Sequence, residues 1–439
     1  LALASARAVT LLFGGERLPA EADVAELVAR ARGAVLFASG DMFLSVAGGA
    51  DWNGDGILDL AVSEREAWGV SGRVRIVPGR RDWPEQGFLE DFPAWTSDVP
   101  DGKFGICLAL SADLNGDGLG DLVVGAPGRS WRDDGHGYVI FGSGRILEES
   151  VENLFRLGFA ARMDSFKPKD SLGFGSAALG DFNGDGIADF ALSAGDGGVE
   201  FAGESYVVFG GPRLVPDPAG TPLSVRDLGA GGVRISGDRG YDRTRDVVPA
   251  GDFNGDGLQD VLVGASGETV ERPTAYVVFG GPARHVSLRS LGGDGVRIAG
   301  DRRGDFHAGG GDFNGDGVDD IAIGGIGDVG GGGADDPSVV ILFGERPAGQ
   351  FLRGDSNGDG EMNLTDALAT LGSLFFGTGD PPCVDAADAD DSGRVEITDV
   401  IFLLGALFRG SEPIPSPHPG CGMDPTQDVL DCGVGCVGG

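Results

Sequence analysis

The chain has 439 residues, a formal net charge of −35 and 82 glycines, and 41% of its residues are hydrophobic. This length has room for two or three domains with a large core, and no apolar run approaches the roughly 18 residues of a membrane-spanning helix. The negative field disfavours nucleic acid and anionic lipid as partners, and the glycines lack the period of collagen.

The N-terminal part enters a repeating pattern midway. Val9-Thr10-Leu11-Leu12-Phe13-Gly14-Gly15 and Gly33-Ala34-Val35-Leu36-Phe37 each predict a strand, and no acidic loop precedes them. Residues 1–8 are interpreted either as the tail of a signal peptide or as the continuation of a longer upstream sequence. Eight residues are too few for both the charged and the apolar region of a signal peptide, which favours the second interpretation.

A nine-residue acidic pattern then occurs five times, and every copy contains Asp-x-Asn-Gly-Asp-Gly. Side-chain oxygens stand at positions 1, 3, 5 and 9, and position 7 offers a main-chain carbonyl. Calcium takes about six to eight such oxygens, and glycine at position 6 allows the sharp turn between them. The candidate calcium ligands are Asp51, Asn53, Asp55, Ile57 and Asp59; Asp113, Asn115, Asp117, Leu119 and Asp121; Asp181, Asn183, Asp185, Ile187 and Asp189; Asp252, Asn254, Asp256, Leu258 and Asp260; and Asp312, Asn314, Asp316, Val318 and Asp320.

The residues after each acidic pattern alternate between apolar and small side chains. An EF-hand would continue as a helix, with apolar residues three and four apart. Here they stand two apart, which predicts that each loop feeds a strand. The alternating pairs are Leu60/Val62, Leu122/Val124, Phe190/Leu192, Val261/Val263 and Ile321/Ile323.

The five copies begin 62, 68, 71 and 60 residues apart, which is long enough for about four short strands per repeat. A further strand recurs between them, as Tyr138-Val139-Ile140-Phe141-Gly142, Tyr206-Val207-Val208-Phe209-Gly210 and Tyr276-Val277-Val278-Phe279-Gly280. The predicted fold is an all-β propeller of four-stranded antiparallel blades, with strands A to D and a calcium loop between A and B. Five full or nearly full blades and a partial N-terminal one are visible.

In these loops, and in phrases such as Gly125-Ala126-Pro127 and Phe279-Gly280-Gly281, the chain resembles the FG-GAP repeats of the integrin α-subunit head. The resemblance covers residues 8–344. It implies a calcium-loaded β-propeller with seven blades in an intact ring. It also implies a secreted or cell-surface location.

The connections that carry no calcium loop are longer and vary between repeats, at residues 64–70, 127–135, 195–203, 266–273 and 327–336. In an A–B–C–D meander they lie on the face opposite the calcium loops. Variable loops on a repeated scaffold are common binding sites, so Trp68 and Trp131 are candidate anchors for a protein or glycan partner. Alternatively, both side chains only cover blade edges.

After Gly344 the acidic pattern lengthens to twelve positions and occurs twice, 33 residues apart. Apolar residues three and four apart come after each copy, which predicts two loop-helix units that bury their stripes against each other. The stripes are Leu364, Ala367, Leu368, Leu371, Leu374 and Phe375, and Ile397, Val400, Ile401, Leu404, Leu407 and Phe408. The candidate ligands are Asp355, Asn357, Asp359, Glu361, Asn363 and Asp366, and Asp388, Asp390, Ser392, Arg394, Glu396 and Asp399.

These two units resemble a type I dockerin, whose loops end in Asp. The second unit departs from the family pattern at position 5, where Ser392 replaces a carboxylate or amide. The resemblance implies one or two bound Ca²⁺ and docking onto a cohesin-like module. The partner-contacting positions of the family are Leu364-Thr365 and Ile397-Thr398 here, which disfavours cohesin as the partner. The alternative is a calcium-folded module that attaches the propeller to something else or packs on it.

The five cysteines are unevenly placed. Cys107 stands alone in a predicted A strand and is interpreted as a buried small hydrophobe. Cys383, Cys421, Cys432 and Cys436 cluster in and after the dockerin-like part, which predicts one or two disulfides in an oxidising compartment. Zinc is the alternative, but this spacing lacks CxxC and only His418 is nearby.

No motif assigns a catalytic role to His136, His285, His307 or His418, and HExxH and P-loop patterns are absent from the sequence. Arg-Gly-Asp occurs at Arg303 to Asp305 and at Arg353 to Asp355, but three common residues are a weak adhesion signal. We therefore expect no enzymatic turnover within these residues.

The sequence thus predicts three parts: a propeller over residues 1–348, a dockerin-like module over 349–410, and a Pro/Cys-rich tail over 411–439. The preferred function is an extracellular calcium-binding scaffold for adhesion or for protein or glycan binding, attached through the dockerin-like module. The alternative is the non-catalytic part of a secreted polysaccharide-degrading enzyme. A purely structural role in an extracellular matrix is the third hypothesis.

Overall fold

The computed structural model describes residues 2–5, 7–12, 33–39, 42–66, 72–99, 103–128, 135–165, 170–198, 201–214, 221–237, 243–265, 274–299, 304–325, 338–345, 350–377, 379, 381, 383–410, 413–419, 422–423 and 430. The chain divides into two compact units. One comprises Leu1–Pro249, Val261–His307 and Ile323–Val339, and the other comprises Ala250–Asp260, Ala308–Ala322 and Val340–Gly439. The predicted boundaries at residues 348 and 410 stay predictions.

The strands form separate sheets that succeed one another in chain order. The first sheet contains β1 (Ala2–Ala4), β2 (Ala8–Leu12) and β3 (Gly33–Phe37). The second contains β4 (Met42–Ala50), β5 (Asp59–Glu66), β6 (Arg73–Val77) and β8 (Ala94–Thr96). The third contains β9 (Leu108–Ser111), β10 (Asp121–Ala126), β11 (His136–Ile140) and β12 (Ala160–Asp164).

The fourth sheet contains β13 (Leu172–Gly180), β14 (Asp189–Ala194), β15 (Glu204–Val208) and β17 (Gly232–Ser236). The fifth contains β18 (Thr244–Gly251), β19 (Asp260–Ala265), β20 (Thr274–Val278) and β22 (Gly295–Ala299). The sixth contains β23 (Gly304–Gly311), β24 (Asp320–Gly325) and β25 (Ser338–Leu342). A two-stranded sheet pairs β26 (Gln350–Phe351) with β27 (Gly422–Met423).

Each predicted calcium loop of the repeats joins the first two strands of one sheet. The hairpin β9–β10, for example, pairs Ser111 with Asp121 across the loop, and β4–β5 pairs Ala50 with Asp59. The other three loops likewise connect β13 to β14, β18 to β19 and β23 to β24. The strand-loop-strand prediction is confirmed, because the period-2 pattern after each loop becomes the second strand of a hairpin.

Short parallel strands that the sequence did not predict extend three of these sheets. β7 (Gln86–Phe88), β16 (Leu223–Ser224) and β21 (His285–Ser287) come from the connection between the third and fourth strands of one repeat. Each pairs in parallel with the outer strand of the preceding sheet, namely β3, β12 and β17. A single parallel bridge between Thr96 and Ser150 obeys the same rule. These strands cover outer edges that would otherwise expose unpaired backbone groups.

Neighbouring sheets share hydrophobic cores. One such core joins Val74 and Trp95 of the second sheet to Leu122 and Tyr138 of the third. Other cores join the first and second sheets, the third and fourth, and the fourth and fifth. Strands β10, β14 and β19 are therefore buried at all six positions instead of on one face. This stacking agrees with the predicted repeats, while closure of the sheets into a ring stays a prediction.

The described helices are few. α1 (Val151–Leu157) lies between β11 and β12, and the C-terminal part contains α2 (Leu364–Leu371), α3 (Val384–Ala387) and α4 (Ile397–Arg409). Residues Gly372–Phe376 continue α2 as a π-helical turn, and 3₁₀ turns occupy Leu89–Asp91, Val225–Asp227 and Gly229–Gly231. Helices α2 and α4 confirm the two predicted loop-helix units. None of the helices in the described ranges is long and apolar enough to cross a membrane.

The predicted packing of α2 against α4 is only partly correct. Ala367, Val400 and Leu403 are buried together with Ile414 of the predicted tail. Most of the other predicted stripe residues face away from this core, and Ile401 and Phe408 remain 64% and 69% exposed. Leu364, Leu368, Phe375 and Ile397 are exposed as well. The stripes are wider than one contact face, so each helix has a buried and an exposed apolar side.

A substitution at Gly125 tests how closely β10 packs against its neighbours. A Cβ at this position would lie 2.1 Å from the carbonyl oxygen of Gly173 and 2.4 Å from Cys107 Sγ. Because the backbone oxygen cannot move aside cheaply, Gly125→Ala should lower the free energy of unfolding by about 1–3 kcal/mol. The control is Gly144→Ala, where the nearest atom would be 3.7 Å away. Denaturant unfolding measures both variants, and equal stabilities would contradict this packing.

Candidate metal centres

The carboxylate at position 1 of each loop in the repeats accepts hydrogen bonds from the loop's own backbone. In the second loop the N–H groups of Gly116 and Asp117 donate to Asp113 Oδ1 at 2.6 and 3.0 Å, and that of Gly118 donates to Oδ2 at 2.6 Å. The N–H groups at positions 5 and 6 make the same contacts in the other four loops. Gly116 and Gly118 have φ of 86° and 88°, a conformation that favours glycine and turns these N–H groups inward.

Positions 3 and 5 are held in the same way. Asn115 Oδ1 accepts the N–H of Asp117 at 2.9 Å, and Asp117 Oδ1 accepts the N–H of Leu119 at 2.9 Å. Both contacts recur in the other four loops. The predicted ligands at positions 1, 3 and 5 are therefore brought together on one short turn by a repeated set of hydrogen bonds.

The aspartate at position 9 ties the loop to the rest of its sheet. Asp121 is fully buried, and its Oδ2 accepts the N–H of Leu114 at 2.8 Å. Its Oδ1 accepts the N–H of Gly142, just after β11, at 2.9 Å. Asp59, Asp189 and Asp320 make the corresponding pairs of contacts, to Trp52 and Gly79, Phe182 and Gly210, and Phe313 and Gly344. This structural role was not predicted, and the predicted role of position 9 as a ligand stays a prediction.

The glycine after the third strand was also missed by the sequence analysis. In the loops that begin at Asp51, Asp113, Asp181 and Asp312, it stands 20, 21, 21 and 24 residues after the position-9 aspartate that it contacts. A Cβ on Gly142 would lie 2.4 Å from the carbonyl oxygen of Gly120. A Phe-Gly just after the third strand in three of these repeats, with Pro78-Gly79 in its place in the first, was the signal that could have revealed this contact.

Burial and hydrogen bonding act in opposite directions on these carboxyl groups. Burial raises the pKa of Asp121 to about 7, although the N–H groups of Gly142 and Leu114 oppose the shift. Burial likewise raises the pKa of Asp189 to about 7. At the exposed first position, hydrogen bonds from Gly317 and other backbone groups hold the pKa of Asp312 below its ordinary value. The backbone of its own loop therefore stabilises Asp312 as an anion.

The sixth loop (residues 355–366) and the seventh loop (residues 388–399) repeat this arrangement ahead of helices. Asp355 accepts the N–H groups of Asp359 and Gly360, and Asp388 accepts those of Ser392 and Gly393. Position 12 now serves the helix start, because Asp366 and Asp399 accept the N–H groups of Asn363 and Glu396 at 2.8 and 2.7 Å. Burial raises the pKa of Asp366 to about 6 and that of Asp399 to about 7.

Both C-terminal loops gather three carboxylates. The ligand atoms of Asp355, Asp359 and Asp366 lie within 4.8 Å of one another, and so do those of Asp388, Asp390 and Asp399. In the seventh loop Asp390 Oδ1 is buried and has no hydrogen-bond partner in the described part of the chain. A buried, unpaired carboxylate oxygen beside two other carboxylates fits a hard cation such as calcium. Ser392 replaces a ligand at position 5, and its Oγ contacts the carbonyl oxygen of Arg394 at 3.3 Å.

Several other predicted features do not belong to the metal-binding part of these loops. Trp68 and Trp131 are outside the described residues, as are the variable segments 266–273 and 327–336 and three of the four clustered cysteines. The disulfides therefore stay a prediction. Cys107 is free and lies just before β9 instead of within it, and burial raises the pKa of its thiol to about 11. Arg353 and Asp355 are 0% and 3% exposed, so the second Arg-Gly-Asp is not an accessible adhesion signal.

Comparison with known proteins identifies the repeats. Residues 108–140, 174–208 and 246–279 match the family model described as FG-GAP repeat. These segments cover β9–β11, β14, β15, β19 and β20 and most of β13 and β18, with the second, third and fourth acidic loops. The chain therefore carries three segments that match this repeat, in agreement with its predicted integrin-like part.

Relatives match part of the chain. Phosphatidylinositol-glycan-specific phospholipase D of Rattus norvegicus is 35% identical over 183 residues, which cover 39% of this chain and 21% of the relative. Integrin alpha-PS2 of Drosophila melanogaster is 32% identical over 163 residues, covering 37% and 11%. Integrin alpha-4 of Xenopus laevis is 34% identical over 158 residues, covering 35% and 14%. The chain spans about a fifth of the phospholipase and less of the two integrins.

Substitution at Asp121 separates the structural role of position 9 from metal binding. Asp121→Asn replaces one acceptor oxygen with an NH₂ group and leaves a buried backbone N–H without its acceptor. We expect the free energy of unfolding to fall by about 1–3 kcal/mol even in chelator at pH 8. Asp117→Asn, at the exposed fifth position, keeps an acceptor and should change it by less than about 0.5 kcal/mol. Equal urea unfolding curves for the two variants would contradict the role assigned to Asp121.

Proposed function

We propose that this protein is an extracellular calcium-binding scaffold whose repeats present a recognition surface for a protein or glycan ligand. The observation that carries the proposal is the repeated loop geometry. Five hairpins hold oxygen side chains at positions 1, 3 and 5 through the same backbone hydrogen bonds. Carboxylate, amide and carbonyl oxygens are the donors that calcium prefers. We assign about five Ca²⁺ to these loops.

The similarity to integrin alpha chains supports the recognition role and the location outside the cell. Bound calcium would offset part of the net charge of −35, since the side chains of 22 of the 68 acidic residues are candidate ligands, with Glu361 offering only its carbonyl. The candidate ligand surface is the face opposite the calcium loops, where a predicted ring would place the variable connections. The sheets provide rigid support for such connections.

The C-terminal part is proposed to be a dockerin-like module that takes one or two Ca²⁺ and attaches the repeats to a partner. Its carboxylate clusters fit the cation, and its helices expose apolar side chains such as Ile401 and Phe408. A cohesin-like module is one candidate partner. Packing of this face against another protein is the more general expectation.

A second candidate function is the non-catalytic part of a secreted enzyme, with a polysaccharide-degrading enzyme as the class suggested by the dockerin-like module. The similarity to phosphatidylinositol-glycan-specific phospholipase D favours an accessory role of this kind, because the shared segment is 21% of that relative. We expect no turnover by the residues of this chain. A catalytic domain encoded in the same reading frame would support this candidate over the first.

Removal of calcium tests the calcium binding that both candidate functions assume. Because an ion bound only to the folded state stabilises it by mass action, a chelator should lower the melting temperature of the full chain. Calcium at about 100 times its dissociation constant contributes about 2.7 kcal/mol per site. Thermal melting with EDTA, with calcium and with calcium restored after EDTA measures the effect. Melting that is indifferent to all three conditions would show that the loops are only acidic turns.

A paired substitution localises the effect to one loop. Asp252→Ala with Asp256→Ala removes two side chains that accept backbone N–H groups and serve as candidate ligands. The number of bound Ca²⁺ should fall by one, as measured by equilibrium dialysis. The matched control is Asp294→Asn, outside the loops, which should leave the calcium count unchanged. An unchanged count in the double variant would contradict the assignment of this site.

A further inference from the structure

Arg353 is the feature of the C-terminal module that calcium binding does not account for. It stands two residues before Asp355, the first candidate ligand of the sixth loop, and its side chain is fully buried. A buried guanidinium is costly unless acceptors and negative charge surround it. The positions of its hydrogen-bond acceptors therefore show which segments the Arg353 side chain links.

The guanidinium reaches into the seventh loop, not the sixth. Arg353 Nη1 donates to the carbonyl oxygen of Asp388 at 2.7 Å, and Nη2 contacts Asp391 Oδ1 at 3.0 Å. Asp385, just ahead of this loop, has a carboxylate oxygen 3.6 Å from Nη1. Asp388 is position 1 of the seventh loop, so one arm of the guanidinium binds the carbonyl of the residue at which that loop begins, and the other arm binds Asp391 three residues later.

The same segment is fixed on its other sides. Arg353 Nε donates to the carbonyl oxygen of Ser416 at 3.0 Å, and its backbone N–H donates to that of Pro417 at 2.8 Å. The N–H of Gly354 donates to the carbonyl oxygen of Ala386 at 2.8 Å. The start of the sixth loop is thereby bonded to the approach to the seventh loop and to the Pro-rich segment that comes after α4.

We propose that Arg353 couples the two C-terminal calcium loops, so that filling one loop raises the calcium affinity of the other. Arg353 is a positioning residue: it holds the first residue of the seventh loop from a point two residues before the first ligand of the sixth. When calcium orders one loop, the conformational freedom of the other loop is therefore reduced as well. Such coupling is reciprocal and typically changes affinity about five- to 150-fold. This inference rests on the proposed calcium binding of the module.

The test measures calcium binding by the seventh loop alone, in the full-length chain. Hydrogen–deuterium exchange of peptides from α4, which begins within the seventh loop, is recorded over a range of free Ca²⁺. The sixth loop is disabled by Asn357→Ala with Asp359→Ala, which spares Asp355 and its backbone contacts. In the parent protein this change should raise the free Ca²⁺ needed for half-protection of α4 about tenfold.

In an Arg353→Met background the same sixth-loop change should shift that midpoint less than twofold. Arg409→Gln, an exposed arginine at the end of α4, is the matched control and should preserve the parent's tenfold shift. An equal shift in the Arg353→Met and parent backgrounds would overturn the proposal, as would the absence of a shift in the parent.

Arg353→Met leaves buried acids without a counter-charge, and a variant that fails to fold for this reason shows α4 without protection at saturating Ca²⁺. Asp391→Asn then replaces it, since it weakens the same link from the other side, and Asn tolerates the positive φ of 58° at this position. In this background too, the sixth-loop change is expected to shift the Ca²⁺ midpoint of α4 protection less than twofold. A shift as large as the parent's would overturn the coupling. Protection of α4 that is independent of Ca²⁺ in the parent would instead refute calcium binding by this module, and the coupling with it.

Discussion

The capture of backbone N–H groups by one aspartate underlies all seven acidic loops. At position 1 a carboxylate accepts the N–H groups of positions 5 and 6, whether the loop leads into a strand, as at Asp113, or into a helix, as at Asp355. Glycine at position 6 is required because the backbone there has positive φ. The turn and the cluster of oxygens are thus one structure, since the hydrogen bonds that close the turn also orient the candidate ligands.

The last aspartate of each loop makes different contacts in the two kinds of loop, although both kinds share the same acidic start. In the repeats, the aspartate at position 9 is buried and joins the loop to the end of the third strand, as Asp121 does with Gly142. In the C-terminal loops, the aspartate at position 12 accepts N–H groups at the start of a helix, as Asp366 does with Asn363. A similar set of oxygens therefore organises a sheet in one part of the chain and a helix pair in the other.

Most of the strands and helices could be predicted from the sequence, because period-2 and period-3.6 patterns come directly after the loops. The parallel strand β16 could not, since two residues, Leu223 and Ser224, have no period. The exposure of Ile401 could not either, because apolar residues surround more of α4 than one partner covers. The acidic pattern identified position 9 as a ligand, but its contact with a glycine 20 residues later, as between Asp59 and Gly79, depends on tertiary structure. Arg353 looked like part of a common tripeptide, and only its buried contacts show its role.

Calcium stoichiometry tests the central claim most directly. The full chain is dialysed to equilibrium against buffered free Ca²⁺, and bound calcium is counted by elemental analysis together with protein concentration. The account predicts about five to seven Ca²⁺ per chain, each held by oxygen ligands of one loop. Fewer than about one Ca²⁺ per folded chain at millimolar free calcium would contradict it, because the loops would then be closed by their backbone hydrogen bonds alone.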